Sequence, residues 1–399
     1  MPYKIFGCKV NKFYINQRLQ HYKEQNNGLD TTLLIATCVV TDRAKSKRIK
    51  DAKKTLEQGQ RVAITGCGTL EKGELISAER FFSIYPELRK FNKNIDLLPE
   101  SPTKLGKGGT FTPLYTKNFV VIQNGCDNHC SFCLTVLKRG KHRSRSSEEI
   151  IEEIQFIESR GGKEVVLTGV NLAARGANNS RKTEESRFSQ LLEEILQQTT
   201  IPRVRISSIG TEFVNDHFFE LASDERILPH FHYSIQSFSD KVLQNMKRGY
   251  GAEKLKDTLR KTRRIQKKNP ESISIGADII VGFPGETEAD FLETFECVQE
   301  FGITKLHAFP FSAHQRGEGV PASLYPNQIS IEIKKDRNKR LIERGERIRD
   351  AFIQRNKGIT HKVLIEEQKA EKRKGRTENY IQVELEGNYK KGEIIEYLL

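Results

Sequence analysis

Short apolar runs alternate with helix-forming stretches along most of this chain of 399 residues, and this alternation limits its fold more than any other feature. In the first hundred residues the runs "YKIFGC", "TTLLIATC" and "RVAITGC" are separated by "NKFYINQRLQHYKEQ" and "TDRAKSKRIKDAKKTLEQG". Strands that alternate with helices form βαβ units, in which the strands pair in parallel. The sequence therefore predicts an α/β fold whose first domain, residues 1–105, is built on a parallel sheet.

Two further domains follow a stretch rich in Gly, Pro, Thr and Lys, "ESPTKLGKGGTFTPLYTK", which is typical of a linker. Residues 116–357 repeat the strand–helix pattern about six times, which is too few for a complete eightfold barrel. We therefore expect a partial (βα)6 barrel with its active site at the carboxyl ends of the strands. Residues 358–399 contain three strand-like runs, "HKVLIEEQ", "ENYIQVEL" and "GEIIEYLL", and predict a small β domain that packs on the barrel.

Three cysteines each stand at the end of one of the N-terminal strands: Cys8, Cys38 and Cys67, hereafter the N-terminal trio. Parallel strands end at the same edge of a sheet, and ligands bind at that edge in such folds. The trio should therefore converge in space. The alternative is that each cysteine is a small buried residue, since free cysteines are often buried.

A second group of thiols lies in "NGCDNHCSFC", where Cys126, Cys130 and Cys133 form the motif trio, with the spacing C-x3-C-x2-C. A structural zinc site is closed by four ligands, and no fourth cysteine or well-placed histidine follows. Three thiolates suit a [4Fe-4S] cluster in which one iron stays open to a substrate or cofactor. The seventh cysteine, Cys297, lies on an apolar helical stretch and is expected in a core.

The net charge of +14 indicates a polyanionic partner, most simply a nucleic acid. A cationic loop with an aromatic residue, in "KAEKRKGRTENY", could hold phosphates and stack a base. Its candidate RNA-binding residues are Lys372, Arg373, Lys374, Arg376 and Tyr380, and the alternative is an ordinary exposed hairpin loop. No run of apolar residues has the length of a membrane span, and the N-terminus does not resemble a signal peptide, so we expect a cytoplasmic protein without a membrane partner.

The motif trio, with Phe132 just before its last cysteine and a strand just before its first, resembles the cluster motif of the radical S-adenosylmethionine (SAM) superfamily. The resemblance implies that SAM chelates the open iron and is cleaved to a 5′-deoxyadenosyl radical, while the protein positions the reactants. "GGKEVVLTG" looks like the family's Gly-Gly-x-Glu motif, which implies that Gly161, Gly162 and Glu164 bind SAM.

The N-terminal trio, the motif trio and the small basic β domain together resemble the methylthiotransferases, over nearly the whole chain. This likeness implies a second [4Fe-4S] cluster on the N-terminal trio, two SAM molecules, a reducing electron-donor protein and a tRNA substrate. It identifies no catalytic side chain. One departure concerns the stretch after "RISSI", where the family usually has an acidic residue, whereas here Gly210 follows and Glu212 comes two residues later.

The stretches "GCKVN" and "LTGVNL" look most like the branch that acts at C2 of N6-threonylcarbamoyladenosine at tRNA position 37. The branch that acts on isopentenyladenosine is the nearest alternative, and a radical enzyme with a polypeptide substrate is another. A different class also stays open, that of an RNA-binding protein whose thiols hold structural zinc.

Overall fold

The computed structural model describes residues 2–5, 7–25, 32–39, 41–100, 116–177, 186–269, 272–314, 319–369 and 372–399. The chain divides into two compact units. Unit 1 contains residues 1–114, 124–143 and 312–324, and unit 2 contains residues 115–123, 144–311 and 325–399. Most of the predicted linker lies outside the described residues. The domain boundaries at residues 105, 116 and 358 stay predictions.

Unit 1 is built on a parallel sheet in the order β1-β2-β3-β6, with a separate two-stranded ribbon of β4 and β5. Its strands are β1 (Tyr3–Ile5), β2 (Leu33–Thr37), β3 (Val62–Gly66), β4 (Leu70–Glu71), β5 (Glu74–Leu75) and β6 (Ile95–Leu97). Its helices are α1 (Lys9–Gln25), α2 (Asp42–Glu57), α3 (Ala78–Ile84) and α4 (Thr135–Arg139).

The two central strands of unit 1, β2 and β3, are mostly apolar, as expected where helices cover both faces of a parallel sheet. Every residue of both strands is buried. Helix α2 begins where the Thr41 side chain accepts a hydrogen bond from the Ala44 amide, which caps its first turn. The predicted strand–helix alternation of the N-terminal region is therefore present.

Unit 2 contains the six parallel strands that the sequence predicts for the barrel. They are β7 (Lys117–Asn124), β9 (Glu164–Gly169), β10 (Arg203–Ile206), β11 (His230–Gln236), β12 (Ser274–Val281) and β13 (Ile303–Pro310), and the short β8 (Arg143–Ser144) adds to the edge at β7. A parallel bridge between Ile209 and Tyr233 connects the β7-β9-β10 half to the β11-β12-β13 half. Among the described residues β7 and β13 do not pair, so the barrel is open.

Amphipathic helices cover the outer face of the barrel strands. They are α5 (Ser147–Ser159), α6 (Phe188–Gln198), α7 (Asp216–Leu221), α8 (Asp240–Asn245), α9 (Ala252–Arg263), α10 (Glu288–Glu300) and α11 (Ile331–Arg355). Helix α10 begins with a capping box, in which the Thr287 side chain bonds the Asp290 amide and the Asp290 carboxylate bonds the Thr287 amide. Cys297 on this helix is buried, in agreement with the predicted core position.

The C-terminal part of unit 2 is a four-stranded antiparallel sheet in the order β16-β15-β14-β17. Its strands are β14 (Thr360–Lys369), β15 (Lys372–Arg376), β16 (Gln382–Glu386) and β17 (Ile394–Leu398). The sequence predicted three strands, and the segment read as a basic loop is strand β15. That reading was wrong because alternate residues of this segment, Arg373 and Gly375, are buried on one face of the sheet.

Within the described ranges, no helix combines the length and the apolar composition that a membrane crossing requires.

Candidate active site

The N-terminal trio lies at one edge of the unit 1 sheet. Cys38 and Cys67 directly follow β2 and β3, and Cys8 directly precedes helix α1. Strands β2 and β3 end in register, with Thr37 opposite Gly66. The three thiols are close enough to interact electrostatically, since Cys8 and Cys38 both act on Cys67. The predicted convergence of the trio is therefore present, and its role as a set of ligands stays a prediction.

The thiols of the two trios are less tightly grouped than another set of possible metal ligands. Within the described part of the chain, only one group of three histidine, cysteine or acidic residues has all its ligand atoms within 4.8 Å of one another, and it contains no cysteine. Which metal group each trio holds stays a prediction.

Two thiols of the motif trio accept hydrogen bonds from backbone amides that follow them in sequence. The Asn128 amide lies 3.4 Å from the Cys126 sulfur, and the Thr135 amide lies 3.3 Å from the Cys133 sulfur. Such N–H···S bonds stabilise thiolates and influence the reduction potential of a cluster that they hold. Phe132 is half-buried in the turn between Cys130 and Cys133, and its role toward SAM stays a prediction.

Arg139 connects the motif segment to the N-terminal trio within unit 1. Its side chain is almost fully buried and its Nε donates to the Cys67 sulfur at 3.1 Å. The two terminal nitrogens donate to Asn124 Oδ1 at 3.0 Å and to Asn11 Oδ1 at 3.2 Å, and one of them pairs with Glu100 at 2.5 Å. Burial raises the pKa of the Cys67 thiol to about 12, although Arg139 acts in the opposite direction.

The backbone around Arg139 is hydrogen-bonded to the turn between β4 and β5. The amide of Lys72 donates to the carbonyl of Leu137, and the amide of Gly73 donates to the carbonyl of Lys138 at 2.9 Å. The next residue, Gly140, has a positive φ, and a Cβ atom there would lie 2.4 Å from the Lys72 carbonyl oxygen. Glycine at this position therefore permits the close approach that carries Arg139 to Cys67.

The SAM contacts of Gly161, Gly162 and Glu164 stay a prediction, and strand direction argues against them. Glu164 is the first residue of β9 and pairs in register with Lys117, the first residue of β7. The motif trio, in contrast, follows the last residue of β7. Because parallel strands of a barrel bind ligands at their carboxyl ends, Glu164 and the two glycines before it lie at the wrong end.

Glu164 instead forms a buried ion cluster at the amino ends of the strands. Its two carboxylate oxygens each accept one hydrogen bond at 2.8 Å, from Arg203 and from Arg205. Burial by itself would raise the pKa of Glu164, but Arg205, Arg203 and Lys117 outweigh it and hold the pKa well below the usual range. The Glu164 carboxylate is therefore ionised, and its contacts connect neighbouring strands of the barrel.

The carboxyl ends of β9 and β10 carry polar groups that the sequence reasoning did not single out as cofactor contacts. The buried Gln123 side chain accepts hydrogen bonds from the amides of Val170 and Asn171, at 3.1 and 2.8 Å. Asn171 Nδ2, Thr211 Oγ1 and Glu212 Oε2 are buried without a hydrogen-bond partner. Such atoms suit the ammonium, carboxylate and hydroxyl groups of a polar ligand such as SAM. The sequence could have predicted these residues, because "LTGVN" contains the carboxyl end of strand β9 and ligands bind at the carboxyl ends of barrel strands.

The predicted RNA contacts differ in how accessible they are. Arg373 is buried and its Nε donates to the carbonyl of Tyr389 at 3.0 Å. Arg376 is mostly buried and faces Tyr380. Lys372 is exposed, and Lys374 pairs with a neighbouring carboxylate on the sheet surface. Their contacts with RNA stay a prediction, which Arg373 fits least.

Tyr380 packs against residues at the amino ends of the barrel strands. Its ring stacks on His230 with the centroids 4.4 Å apart. Four cationic groups lie within 5.0 Å of its centroid, from Lys117, Arg205, Lys305 and Arg376. The aromatic ring therefore stabilises buried positive charge, and through it the β domain packs on the barrel, as the sequence predicts.

Comparison with known proteins shows which family this chain resembles. The model of the radical SAM superfamily matches residues 120–298. The threonylcarbamoyladenosine tRNA methylthiotransferase MtaB of Rickettsia prowazekii is 33% identical over 96% of this chain and 90% of its own length. The MtaB protein of Aquifex aeolicus is 30% identical over 100% of both chains. The tRNA-2-methylthio-N(6)-dimethylallyladenosine synthase of Vesicomyosocius okutanii is 30% identical over 96% of this chain and 92% of its own.

A radical SAM enzyme is thus the class that fold and motif define. Within this class the chain belongs to the methylthiotransferase family, and it is most similar to the threonylcarbamoyladenosine branch. Membership in the superfamily implies SAM and one [4Fe-4S] cluster as cofactors.

Proposed function

We propose that this enzyme adds a methylthio group to C2 of N6-threonylcarbamoyladenosine at position 37 of tRNA, using two [4Fe-4S] clusters and two SAM molecules. The names of its most similar relatives support this substrate. The net charge of +14 supports an RNA partner, since phosphate binding needs Lys and Arg. Such an enzyme would work in the cytoplasm and would need a reducing electron-donor protein.

The observation that carries the proposal is that a single compact unit contains both thiol trios. Arg139, six residues beyond the last motif cysteine, donates to the sulfur of Cys67 in the N-terminal trio. A radical enzyme with one cluster would have no need of a second converging trio. Two three-thiol sites suit an enzyme that must both generate a radical and supply sulfur.

Each trio has a separate task in this proposal. Cys126, Cys130 and Cys133 hold the cluster that binds SAM, and Cys8, Cys38 and Cys67 hold the second one. When bound, the SAM-ligated cluster supplies the electron that cleaves a carbon–sulfur bond of SAM. The chain supplies the thiolates, the N–H···S bonds to Cys126 and Cys133 and the guanidinium at Cys67, and it excludes water from the buried thiols.

Two cysteine variants test this division of tasks. We expect Cys130→Ala to abolish formation of 5′-deoxyadenosine, because two thiolates do not retain the SAM-binding cluster. We expect Cys38→Ala to retain SAM cleavage and to lose sulfur insertion into the RNA. Cys297→Ala is the matched control, since this thiol lies in a helix core. Sulfur insertion by Cys38→Ala at the wild-type rate would refute the second site.

The second candidate substrate is dimethylallyladenosine, because a synthase of its methylthio derivative is also 30% identical to this chain. Mass spectrometry of tRNA nucleosides, from cells with and without this protein, distinguishes the two. Loss of the methylthio form of threonylcarbamoyladenosine supports the proposal. Loss of the dimethylallyl derivative alone would assign the enzyme to the other branch.

A further inference from the structure

Three side chains from neighbouring strands of unit 2 form a group that neither thiol site uses. His232 is on β11, Asp278 on β12 and His307 on β13, and their ligand atoms all lie within 4.8 Å of one another. We call them the His-Asp-His group. They contain no cysteine, and all three belong to unit 2, whereas the six cysteines of the two trios belong to unit 1. From their geometry we propose that the group binds one divalent transition-metal ion, with zinc as the best match, and that an anionic oxygen ligand completes its coordination.

The distances match the coordination shell of such an ion. His232 Nε2 lies 3.0 Å and His307 Nδ1 lies 3.1 Å from the same oxygen, Asp278 Oδ1. Neighbouring ligands of a first-row ion with bonds of about 2.1 Å are about 3.0 Å apart at a right angle and about 3.4 Å apart in a tetrahedron. Two imidazoles and one carboxylate, with positions left open, form a common set for zinc or iron(II).

The surroundings of the His232 imidazole also suit a bound cation. His232 is 5% exposed, and its Nε2 faces Asp278 Oδ1 at 3.0 Å without the geometry of a hydrogen bond. A buried polar atom of this kind costs free energy unless something binds it. A cation between Nε2 and the carboxylate would satisfy both.

The strands hold the group rigidly. Gly276 on β12 lies opposite His232 in register, and a Cβ atom there would come within 2.3 Å of His232 Nδ1. Glycine therefore makes room for the imidazole ring against the backbone of the next strand. All three donors project from paired strands and not from loops, which suits a preorganised metal site.

One member of the group, His307, also lines a cavity with cationic walls. His307 lines a cavity of about 520 Å³ together with Lys305, Arg349 and Arg376, and Glu346 and Asp350 also contribute to the wall. Three cationic side chains against two carboxylates in this lining favour an anion. A carboxylate or phosphate oxygen could therefore reach the ion at His307.

The test uses the holoenzyme with its clusters assembled, so that the thiols do not compete for zinc. We expect it to retain about one zinc ion per chain beyond its iron after anaerobic titration with Zn²⁺ and desalting, measured by mass spectrometry of the metals. Asp278→Asn and His307→Ala should weaken zinc binding by more than about 100-fold, because each removes a direct ligand. His217→Ala is the matched control, since His217 is an exposed histidine that pairs with Glu193.

X-ray absorption at the zinc edge identifies the donors. We expect nitrogen and oxygen neighbours at about 2.0–2.1 Å, with the scattering pattern of imidazole, and no sulfur at about 2.3 Å. His307 is 45% exposed at its side chain, so His307→Ala should fold normally even if Asp278→Asn does not.

Three results would each overturn the proposal. They are an equal zinc content in wild type and His307→Ala, a sulfur shell around the ion, and a wild type that retains no zinc. Each would leave a hydrogen-bonded His-Asp-His group without a metal ion.

Discussion

At the scale of single residues, the most informative side chain is Arg139. Its guanidinium bonds a cysteine sulfur, two asparagine oxygens and the carboxylate of Glu100 while being almost fully buried. A buried charge is tolerated only when it is paired and hydrogen-bonded. The sequence shows only an arginine after the cysteine motif, so its contact with Cys67 could not be predicted from spacing.

We predict that Arg139→Gln lowers the free energy of unfolding by about 3–5 kcal/mol, because it leaves the Glu100 carboxylate buried without its cation. Anaerobic urea unfolding measures this. Arg61→Gln is the matched control, because Arg61 forms an exposed pair with Asp96 and should cost less than about 1 kcal/mol. Equal losses for the two variants would show that Arg139 contributes no more than a surface ion pair.

At the scale of elements, strand direction decides what each polar group can do. The sequence correctly predicts six parallel strands and the small β domain. It assigned Glu164 to SAM because Gly-Gly-x-Glu looked like a family motif, yet the residue begins its strand and therefore lies at the amino ends. The basic segment of the β domain was wrongly taken for a loop for a related reason. The segment has cations on both faces, so its sequence does not show the alternation of a strand. Its strand character becomes clear only from the contact of the buried Arg373 with the Tyr389 carbonyl.

The Glu164 ion cluster makes stability dependent on pH. We predict that Glu164→Gln costs about 3–5 kcal/mol at pH 7, since it leaves Arg203 and Arg205 without their anion. The pKa of Glu164 is lowered in the folded protein, so its contribution is present above the ordinary glutamate pKa of about 4 and is lost as the pH falls below that value. Unfolding by urea between pH 7 and pH 3 should show a shrinking difference between wild type and variant. A difference that grows at acid pH would contradict this assignment.

The ring of Tyr380 provides a test of how the β domain docks. We predict that Tyr380→Ala destabilises the protein by about 3–5 kcal/mol, because it removes a ring stacked on His230 and surrounded by cations. Tyr380→Phe keeps the ring and should retain both stability and RNA affinity. Thermal unfolding and a tRNA-binding assay measure the two quantities. If Tyr380→Phe lost RNA affinity while remaining stable, the residue would be an RNA contact after all.

At the scale of the whole molecule, charge is the property that bears on the partner. Helix α11 has exposed cations, including Lys335, Lys339 and Arg347, in addition to Lys372 on the β domain. Arg373 and Tyr380 already contact other parts of unit 2. We therefore expect phosphate contacts from the exposed lysines and arginines of α11 and from Lys372. Binding measurements can decide whether α11 is simply a solvated helix or contacts a polyanion.

We predict that tRNA affinity falls steeply with salt, since each neutralised phosphate releases counterions. About six phosphate contacts would reduce the affinity roughly 10³-fold between 50 and 200 mM salt. Lys335→Gln combined with Lys339→Gln should flatten the slope of log K against log salt by about 1–2. The matched control is Lys93→Gln, an exposed lysine of unit 1. An affinity that is independent of salt would exclude a phosphate-dominated interface and favour a polypeptide substrate.

The sequence by itself determined the strand–helix alternation, the two cysteine trios, the expectation that the N-terminal trio converges and the family. These features depend on neighbours along the chain or on the rule that parallel strands end together. Tertiary structure alone decided that Arg139 reaches Cys67, that Glu164 and Tyr380 belong to the amino ends of the barrel, and that His232, Asp278 and His307 meet. These contacts join residues far apart in sequence, so they depend on strand register and packing, which no local pattern encodes.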